Sequence, residues 1–310
     1  YQKSLKLNKY KKLKIYNNFN NFNKIFKKKI DYTMSSITGL EGLIPTLKII
    51  KFTKKIAIAN KEAIICGWNL INKELNKFNT KFIPVDSEHF SIWYAMNNNQ
   101  DTIKKIILTA SGGPFFKLPL KKFKRIQLCH ALKHPNWNMG KKISIDSATM
   151  MNKVFEVIEA KNIFNIELGK IEILNHPKSY IHALVQFNNG MSKIVVHDTD
   201  MKIPIFNTLY MNTKKEIKSK NLNIKILNNL SLSKVDLKKF PLIKIIKKIP
   251  NKHSLFETVL VSTNDTIVKN FLDGKIHFLD ISKRIIQIIN NKEFNKYKNI
   301  SPKRIKDIIN

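Results

Sequence analysis

The sequence has few cysteines and no long apolar run, and each shortage excludes a class of protein. The two cysteines, Cys66 and Cys129, match neither a disulfide framework nor a zinc motif in their spacing. A reducing compartment, and hence a bacterial-type cytoplasm, is therefore the expected location, with organellar import left open. No apolar run approaches the roughly 20 residues that a bilayer-spanning helix needs, so we expect no membrane partner.

Acidic residues are also scarce, and the 310-residue chain carries a formal net charge of +34, from 56 Lys and Arg against 22 Asp and Glu. Such a charge could release counterions from nucleic-acid phosphates. The lysines, however, are spread along the whole chain together with abundant Asn and Ile, and no recognition motif accompanies them. We interpret the charge as compositional drift that still attracts an anionic substrate, and we expect no nucleic-acid partner.

Glycine is absent from residues 1–34, which are rich in Lys and Asn and are predicted as a basic lead, either a charged helix and linker or a poorly ordered segment. From residue 35 onward, apolar runs alternate with helical periods, which indicates a largely parallel sheet. The predicted strands of this part lie at 56–59, 82–86 and 106–110, with helices at about 61–77 and 87–96.

The second half of the sequence follows a different pattern. Three apolar runs separated by turn residues, at 171–174, 180–187 and 191–196, read as antiparallel strands. Residues 212–240 read as a polar connection. The last part follows helical periods, at 242–249, 253–272, 278–290 and 301–309. The chain therefore has an α/β part, a middle α+β part and a helical C-terminal part.

The most polar stretch of the chain runs from His134 to Glu156, passing from a Pro- and Gly-bearing loop into a helix. Asn152, Glu156 and Glu159 fall at i, i+4 and i+7 of that helix and share one face. Free N–H groups and the positive dipole end at a helix N-terminus favour an anion. This stretch is therefore a candidate site for an anionic ligand.

Carboxylates follow the strand at 82–86. Asp86 and Glu88, with Glu156 as a third ligand, would suit a hard cation such as Mg²⁺ or Mn²⁺. Asp-x-Glu alone is common among solvated surface acids. Its position after an apolar strand, in a very basic chain, favours the metal site.

Polar residues also follow the two other strands of the α/β part. Asn60-Lys61-Glu62 reads either as a helix N-cap or as a place where Lys61 holds a substrate oxygen or phosphate. Ser111 opens a Gly-Gly-Pro turn, which is either a plain turn or a phosphate cradle. Ser147, Asn152 and Lys153 have suitable donors for the same phosphate.

The loop part of the polar stretch contains His134 and Trp137. A lone His is usually structural, but a Trp among Pro and Gly is hard to explain as core. A mobile flap that closes over the ligand and excludes water accounts for both.

These motifs together resemble the 1-deoxy-D-xylulose 5-phosphate reductoisomerase family of non-mevalonate isoprenoid biosynthesis. The resemblance covers about 35–310 and is strongest over 134–160. The segments that carry it are Ala59–Ala63, Val85–His89, Thr109–Phe115, His134–Lys153, Glu156–Ala160, His176–His182 and Asp200–Pro204.

The resemblance implies an α/β fold in a V-shaped subunit of a homodimer, with an incomplete Rossmann-like N-terminal domain, an α+β catalytic domain and a C-terminal helical bundle. The predicted divisions are the basic lead 1–34, the remainder of the NADPH-binding domain 35–86, the catalytic domain 87–211 with a flap at 134–140, the connection 212–240 and the helical domain 241–310.

The resemblance also implies a role for each matching residue. Asp86, Glu88 and Glu156 would bind Mg²⁺ or Mn²⁺, with Co²⁺ as a further option, and Glu88 and Lys61 would be catalytic. Substrate contacts would come from Ser87, Ser111, His134, Trp137, Ser147, Asn152 and Lys153. NADPH contacts would come from Asn60, Lys61, Glu62, Met139, Gly140 and Met201.

The implied reaction uses NADPH to convert 1-deoxy-D-xylulose 5-phosphate to 2-C-methyl-D-erythritol 4-phosphate. A metal would chelate the ketone oxygen and a neighbouring hydroxyl oxygen. Retro-aldol cleavage and re-addition would rearrange the carbon skeleton to an aldehyde, which hydride would reduce. Glu88 is the candidate proton shuttle.

The sequence departs from the family pattern in three places. It shows no Gly-x-x-Gly-x-x-Gly turn for the dinucleotide, and it begins at Tyr1, so a fragment is one expectation. The alternative is a truncated or decaying copy that binds metal and sugar phosphate without reductase activity. Val154 replaces a usual Gly and is expected to crowd the helix, and His197 lies where a Gly-containing turn is usual.

Overall fold

The fold is taken from a computed structural model, which describes residues 13–16, 19, 21–96, 102–137, 139–211 and 213–309. It contains two sheets and a set of packed helices. The strands are β1 (Ile30–Ser35), β2 (Thr53–Ile58), β3 (Lys81–Pro84), β4 (Ile103–Ala110), β5 (Ile171–Asn175), β6 (Ile181–Phe187), β7 (Ser192–Val196) and β8 (Ser233–Lys234).

The α-helices lie between and after these strands. They are α1 (Phe22–Ile25), α2 (Leu43–Ile50), α3 (Lys61–Lys77), α4 (Ser87–Met96), α5 (Leu128–Ala131), α6 (Lys141–Ala148), α7 (Met151–Phe164), α8 (Lys202–Leu209), α9 (Ile224–Leu227), α10 (Leu255–Leu272), α11 (Phe278–Ile289), α12 (Lys292–Asn295) and α13 (Ile305–Ile309). Short 3₁₀ helices occupy Leu40–Gly42, Leu120–Arg125, Leu168–Lys170, Pro241–Lys248 and Lys296–Asn299. Among the described residues, we find no helix with the length and apolarity to cross a bilayer.

The first sheet is parallel, in the order β1-β2-β3, with α2 and α3 as its crossover helices. The second sheet is mixed, in the order β7-β6-β4-β5-β8. These two sheets and the helical C-terminal region confirm the predicted α/β class. The carboxyl ends of β2 and β3 meet at one edge of the first sheet, which is where open α/β sheets place their ligands.

The sequence analysis did not predict β1, which begins inside the predicted basic lead. The strand is only partly buried and contains Asp31, Tyr32 and Thr33, so it shows neither an apolar run nor a clean alternation. Its backbone pairs with β2 from Ile30 to Ser35. Pairing with a buried neighbour, rather than its own composition, therefore defines this strand.

Two predicted strand partnerships are wrong. β4 does not extend the first parallel sheet but lies at the centre of the second, between β5 and β6. β5 pairs with β4 in parallel, whereas we predicted only antiparallel pairing, which it shows with β8 on its other side. The alternation of strands and helices indicates parallel pairing, but it does not indicate which sheet a strand joins. The helix α7 separates β4 from β5 and serves as the crossover that makes their pairing parallel.

Several predicted C-terminal boundaries also differ from the observed ones. The period at 242–249 belongs to a 3₁₀ helix, Pro241–Lys248, and the period at 301–309 shortens to α13. The predicted connection 212–240 contains the short elements α9 and β8. Pro241 at the start of the 3₁₀ helix fixes its own φ and cannot donate a backbone hydrogen bond, which suits a helix start.

The main hydrophobic cluster joins β2, α2, α3, α6, α7, α10 and α11. α7 is buried along most of its length, and its buried residues include the charged Lys153, Glu156, Glu159 and Lys161. α7 continues without interruption through Val154, whose side chain is fully buried in this cluster. Burying charged side chains costs free energy unless they are paired. The charged residues of α7 therefore need partners of opposite charge on neighbouring elements.

Candidate active site

Three segments of the chain converge on the polar face of α7. The first turn of α3 contributes Lys61, the junction of β3 and α4 contributes Asp86 and Glu88, and α7 itself contributes Glu156 and Glu159. The predicted helical face at i, i+4 and i+7 is therefore observed, and it points into the site.

Asn60 fixes the position of Lys61. Its side chain accepts a hydrogen bond from the Ala63 backbone N–H at 2.8 Å, as an N-cap does. The Asn60 amide also donates to the carbonyl oxygen of Gly39 at 2.8 Å. These bonds tie the start of α3 to the turn after β1, so the N-cap interpretation of Asn60 is confirmed.

Lys61 lies in a group of polar acceptors. Its Nζ is 3.1 Å from Asp86 Oδ2, 3.3 Å from Glu159 Oε2 and 3.0 Å from Asn152 Oδ1. Burial favours the neutral amine, but Asp86, Glu159 and Glu156 outweigh it and raise the pKa of Lys61 well above its ordinary value. Lys61 is therefore a permanent cation that donates hydrogen bonds, and it is not a base.

The three predicted metal ligands come together. Asp86, Glu88 and Glu156 each have a carboxylate oxygen within 4.8 Å of the others. Burial and the neighbouring Glu88 carboxylate raise the pKa of Glu156 to about 8. Such mutual repulsion between oxygen ligands is relieved by a divalent cation, so the donor set fits Mg²⁺ or Mn²⁺.

Sequence reasoning gave no role to His89, and it placed Glu159 on the face of the site without naming it as a ligand. With Asp86 they form a second group of ligand atoms within 4.8 Å of one another. His89 Nδ1 is 3.2 Å from Asp86 Oδ1, and its Nε2 donates to the backbone oxygen of Glu156 at 2.9 Å. Burial disfavours the imidazolium, but Glu159 and Asp86 raise the pKa of His89 to about 9. The spacing of three residues between Asp86 and His89, on one helical turn, was the available signal.

The predicted phosphate residues fall into two pairs. Gly113 has a φ of +64°, and a Cβ there would lie 2.8 Å from the Ser147 backbone oxygen. The Ser111 turn therefore packs directly on the end of α6, which brings Ser111 and Ser147 near each other. Asn152 and Lys153 instead contact carboxylates directly. Asn152 donates to the Glu156 carboxylate, and the Lys153 ammonium contacts the carboxylates of both Glu88 and Glu156. Ser87 contacts Glu88 in the same way.

The predicted flap is held by its histidine. His134 Nδ1 accepts from the backbone N–H groups of Asn136 and Trp137, at 3.2 and 2.9 Å. Burial and the Lys153 ammonium lower the pKa of His134 to about 4, so the ring is neutral. Its Nε2–H then donates to Ser111 Oγ at 3.2 Å. The flap therefore contacts the predicted phosphate turn. Asn138, within the flap, lies outside the described residues.

The predicted NADPH residues are more widely spread. Glu62 accepts a hydrogen bond from Lys142 Nζ at 2.8 Å. Met201 packs near the ends of β2 and β3, against a small cluster that contains Ala57 and Ile83. Met139 is half-buried, and Gly140 is the exposed N-cap of α6. The structure therefore places Met201 at the sheet edge, and it commits the Glu62 carboxylate to an ion pair.

The parallel sheet and the carboxylates that converge beside it define an α/β protein with the donor set for a divalent cation. Family models for 1-deoxy-D-xylulose 5-phosphate reductoisomerase match residues 2–67, and models for its C-terminal domain match 82–164 and 197–310. The chain therefore belongs to the 1-deoxy-D-xylulose 5-phosphate reductoisomerase family. The first match includes most of the segment that we predicted as a basic lead.

Individual relatives agree with this assignment. The chain is 61% identical to the 1-deoxy-D-xylulose 5-phosphate reductoisomerase of Pelagibacter ubique strain HTCC1062, over 98% of this chain and 79% of the relative. It is 40% identical to that of a Sulfurihydrogenibium species, over 86% of this chain and 70% of the relative.

Solved structures of the same enzyme share the fold. The Zymomonas mobilis enzyme in complex with NADPH matches with a TM-score of 0.78 and 34% identity, over 90% of this chain and 71% of that one. A structure with NADPH, fosmidomycin and magnesium matches with a TM-score of 0.77 and 32% identity, over 87% and 69%. Both bound ligand classes agree with the cofactors predicted from the sequence.

Proposed function

We propose that the chain reduces and isomerises 1-deoxy-D-xylulose 5-phosphate to 2-C-methyl-D-erythritol 4-phosphate with NADPH and Mg²⁺ or Mn²⁺. The observation that carries the proposal is the convergence of Asp86, Glu88 and Glu156 within 4.8 Å, beside the Lys61 cation. The relatives named above carry this activity in their names, and similar structures bind NADPH, fosmidomycin and magnesium.

The carboxylates Asp86, Glu88 and Glu156 are the proposed ligands of the divalent cation. When bound, such a cation acts as a Lewis acid on the ketone and hydroxyl oxygens of the substrate and orients them. Lys61 supports the same oxygens as a fixed hydrogen-bond donor, since its ammonium stays protonated among the acids. Ser87, next to Glu88 in the chain, offers a hydroxyl for a further contact.

The phosphate is the proposed ligand of Ser111, Ser147, Asn152 and Lys153. Lys153 has three N–H donors, and its contacts with Glu88 and Glu156 use two of them. The third donor remains for a phosphate oxygen. Asn152 and Lys153 lie in the first turn of the 14-residue α7, where the positive end of the helix dipole favours an anion.

Glu88 is the proposed proton acceptor. Burial opposes its ionisation, but the Lys153 ammonium outweighs burial and lowers the pKa of Glu88, so the carboxylate is ionised at neutral pH. It can accept the hydroxyl proton that is lost when the carbon–carbon bond breaks, and return it after the fragments recombine as an aldehyde. His134 and Trp137 exclude water by closing over the substrate.

NADPH is the proposed hydride donor to that aldehyde. Its proposed contacts are Met201, Met139 and Gly140, together with the start of α3 at Asn60, Lys61 and Glu62. Met201 lies near the carboxyl ends of β2 and β3, where dinucleotides bind in sheets of this kind.

We also propose a cytoplasmic homodimer. Two free thiols, Cys66 and Cys129, support a reducing compartment. β7 lies at an edge of the second sheet, and the exposed side chains of Met191 and Ile194 accompany it, which supports pairing with another copy. A monomeric mass in sedimentation at micromolar concentration would contradict the dimer.

Substitution of one metal ligand tests the proposed function. Glu156→Gln keeps the shape of the side chain but removes its charge, so turnover should fall by about two orders of magnitude or more. The measurement is NADPH oxidation at 340 nm that depends on deoxyxylulose phosphate and Mg²⁺. Glu167→Gln changes an exposed glutamate on the loop after α7 and is the matched control.

Calorimetry, combined with the NADPH oxidation assay, separates the proposed function from its alternative. A chain that binds metal and sugar phosphate by calorimetry, but neither binds nor oxidises NADPH, would be the non-reducing copy. Equal turnover of Glu156→Gln and the unaltered chain would refute the metal assignment while leaving the family unchanged.

A further inference from the structure

Two histidine rings stack directly beside the flap. His182, a buried residue of β6, and His197, which follows β7, have ring centroids 3.6 Å apart and planes only 8° from parallel. The edge of the indole of Trp137 contacts His182 with a centroid distance of 6.1 Å and an angle of 75°. The three rings form a continuous aromatic contact from the end of β7 to the flap, which we call the ring stack.

Backbone carbonyl groups fix the orientation of both imidazoles. His182 Nε2 donates to the backbone oxygen of His197 at 3.1 Å, and His197 Nδ1 donates to that of Asp198 at 2.7 Å. The backbone N–H of His197 donates to the Tyr180 oxygen at 3.2 Å. The Nε2 atom of the His197 ring is buried without a hydrogen-bond partner among the described residues. The His197 ring is therefore held by one hydrogen bond and by its contact with His182.

The ring stack borders the candidate active site. The Glu88 carboxylate acts electrostatically on both His182 and His197. Burial lowers the pKa of His182 to about 3, so neither charge nor repulsion between imidazolium groups disturbs the stack near neutral pH. On the other side, Trp137 continues into His134 through a backbone hydrogen bond. The stack thus lies within electrostatic range of Glu88, and its Trp137 end belongs to the flap.

We propose that His197 is a positioning residue that holds the flap in place for the sugar phosphate, acting through His182 and Trp137. The inference rests on the proposed function. A Gly-containing turn, which is usual in the family at this position, has no ring to place on His182. In this chain, the His197 ring fills that place, limits rotation of His182 and gives Trp137 a rigid surface to contact.

Two substitutions of His197 separate the ring from its hydrogen bond. His197→Phe keeps a flat ring against His182 and loses the Nδ1–H donor. His197→Asn keeps an N–H donor for the Asp198 oxygen and loses the ring. Because an aromatic pair contributes about 0.5–1.5 kcal/mol, the Kd for deoxyxylulose 5-phosphate with Mg²⁺ should rise by roughly two- to twelvefold in His197→Asn. It should stay within about twofold of the unaltered chain in His197→Phe.

Calorimetry measures this Kd and does not require hydride transfer. A purely structural role would lower the melting temperature of His197→Asn without changing the Kd. An unchanged Kd in His197→Asn, or equal losses in both variants, would overturn the proposal.

Fluorescence of Trp137 provides a second measurement that needs no substrate. With Trp68 and Trp93 replaced by Phe, Trp137 reports its own exposure to acrylamide. Quenching should increase by about twofold in His197→Asn and not in His197→Phe, since only the former releases the indole from its rigid contact. If the unaltered chain fails to bind the sugar phosphate, the proposed function fails, and the quenching comparison alone decides the role of His197. Equal quenching in all three proteins would then refute it.

Discussion

Charge is unevenly balanced among the buried residues of the site. Asp86, Glu88, Glu156 and Glu159 contribute four carboxylates, whereas Lys61 and Lys153 contribute two ammonium groups. Full ionisation leaves an excess of two negative charges before His89 is counted. Such an excess inside a chain of net charge +34 is costly unless a cation compensates it. The raised pKa of Glu156 is the local sign of that cost.

Val154 provides a prediction about the helix that carries these charges. Its side chain is fully buried in the main hydrophobic cluster. Val154→Gly removes that burial and adds the helix penalty of glycine, so the free energy of unfolding should fall by about 2–4 kcal/mol. Urea denaturation followed by circular dichroism measures the change.

Val154→Ala separates the two contributions, because it removes the side chain while keeping a strong helix former. Its loss should be smaller than that of Val154→Gly by about 1 kcal/mol. A gain in stability with Val154→Gly would mean that the residue does crowd the helix, as the sequence pattern suggested.

The sequence was informative about single residues of the site where side-chain chemistry is local. The order Asp86-Ser-Glu88 after a strand, and Glu156 on the polar face of a helix, sufficed to predict ligands that the fold brings together. The spacing also accounts for the contacts of Asn152 and Lys153 with Glu156, at i+4 and i+3 of one helix. It does not account for the contacts of Asn152 with Lys61 and of Lys153 with Glu88, which depend on how α7 packs against α3 and α4. Those packing distances are tertiary properties, and no spacing along the chain encodes them.

At the scale of elements, one lysine connects three helices. Lys142, in the first turn of α6, has its Nζ 2.8 Å from Glu62 Oε1 of α3, 3.2 Å from Asp146 Oδ2 and 3.0 Å from Asp265 Oδ1 of α10. Asn264 of α10 donates to the second oxygen of Asp146 at 2.8 Å. The group fixes α6, which carries Ser147, between the helix that carries Lys61 and the C-terminal helices.

Lys142→Met should therefore destabilise the junction of these helices. The substitution keeps the length of the side chain and leaves three carboxylates without a cation. The Lys142 side chain is 35% exposed, so we expect a loss of about 1–3 kcal/mol, less than for a fully buried pair. Lys141→Met alters the exposed neighbouring residue and should change the free energy of unfolding by less than about 0.5 kcal/mol.

A double substitution tests whether repulsion among the acids causes that loss. Adding Asp265→Asn to Lys142→Met removes one unpaired charge, so part of the stability should return. If the losses of unfolding free energy caused by Lys142→Met and by Asp265→Asn alone simply add in the double variant, Lys142 acts through its contact with the Phe155 ring rather than through its ion pairs.

Elements with a strong period were predictable, and those defined by their partners were not. The sequence predicted α3, α7, α10 and α11 near their observed positions because each combines an apolar face with clear ends. Ser254 and Glu257, for example, form a capping box at the start of α10. β1 and the sheet membership of β4 depend instead on pairing between distant segments, which leaves no local periodic signal.

At the scale of the whole molecule, acidic residues are few, yet many of them are paired inside the fold. The positive charge is consequently left on the surface, where it attracts anions over distances comparable to the Debye length. Histidines show the opposite distribution. His89 is the exception, because neighbouring carboxylates raise its pKa to about 9. Five other histidines are neutral, because burial lowers the pKa of His134, His176, His182, His197 and His253.

This distribution predicts that the fold is sensitive to mild acid. The unfolded chain binds protons at its histidines below their ordinary pKa of about 6.5, whereas the folded chain does not until the lower folded pKa is reached. The stability that these five histidines contribute is thus fully present above pH 6.5 and is lost as the pH falls below it. Each such histidine contributes a slope of up to about 1.4 kcal/mol per pH unit. Glu156, whose pKa is raised to about 8, acts in the opposite direction, but the five histidines outnumber it. Thermal unfolding between pH 6.5 and 5 should therefore show a falling melting temperature.

His253 isolates one contribution, because it lies far from the metal ligands in sequence and packs on α3. Its Nε2 donates to the backbone oxygen of Ile65 at 2.8 Å, and its Nδ1 is buried without a hydrogen-bond partner in the described part of the chain. His253→Gln keeps an N–H donor but cannot titrate, so the slope of stability against pH should decrease by up to about 1.4 kcal/mol per unit below pH 6.5. An unaltered slope in His253→Gln would show that acid acts on the fold through other groups.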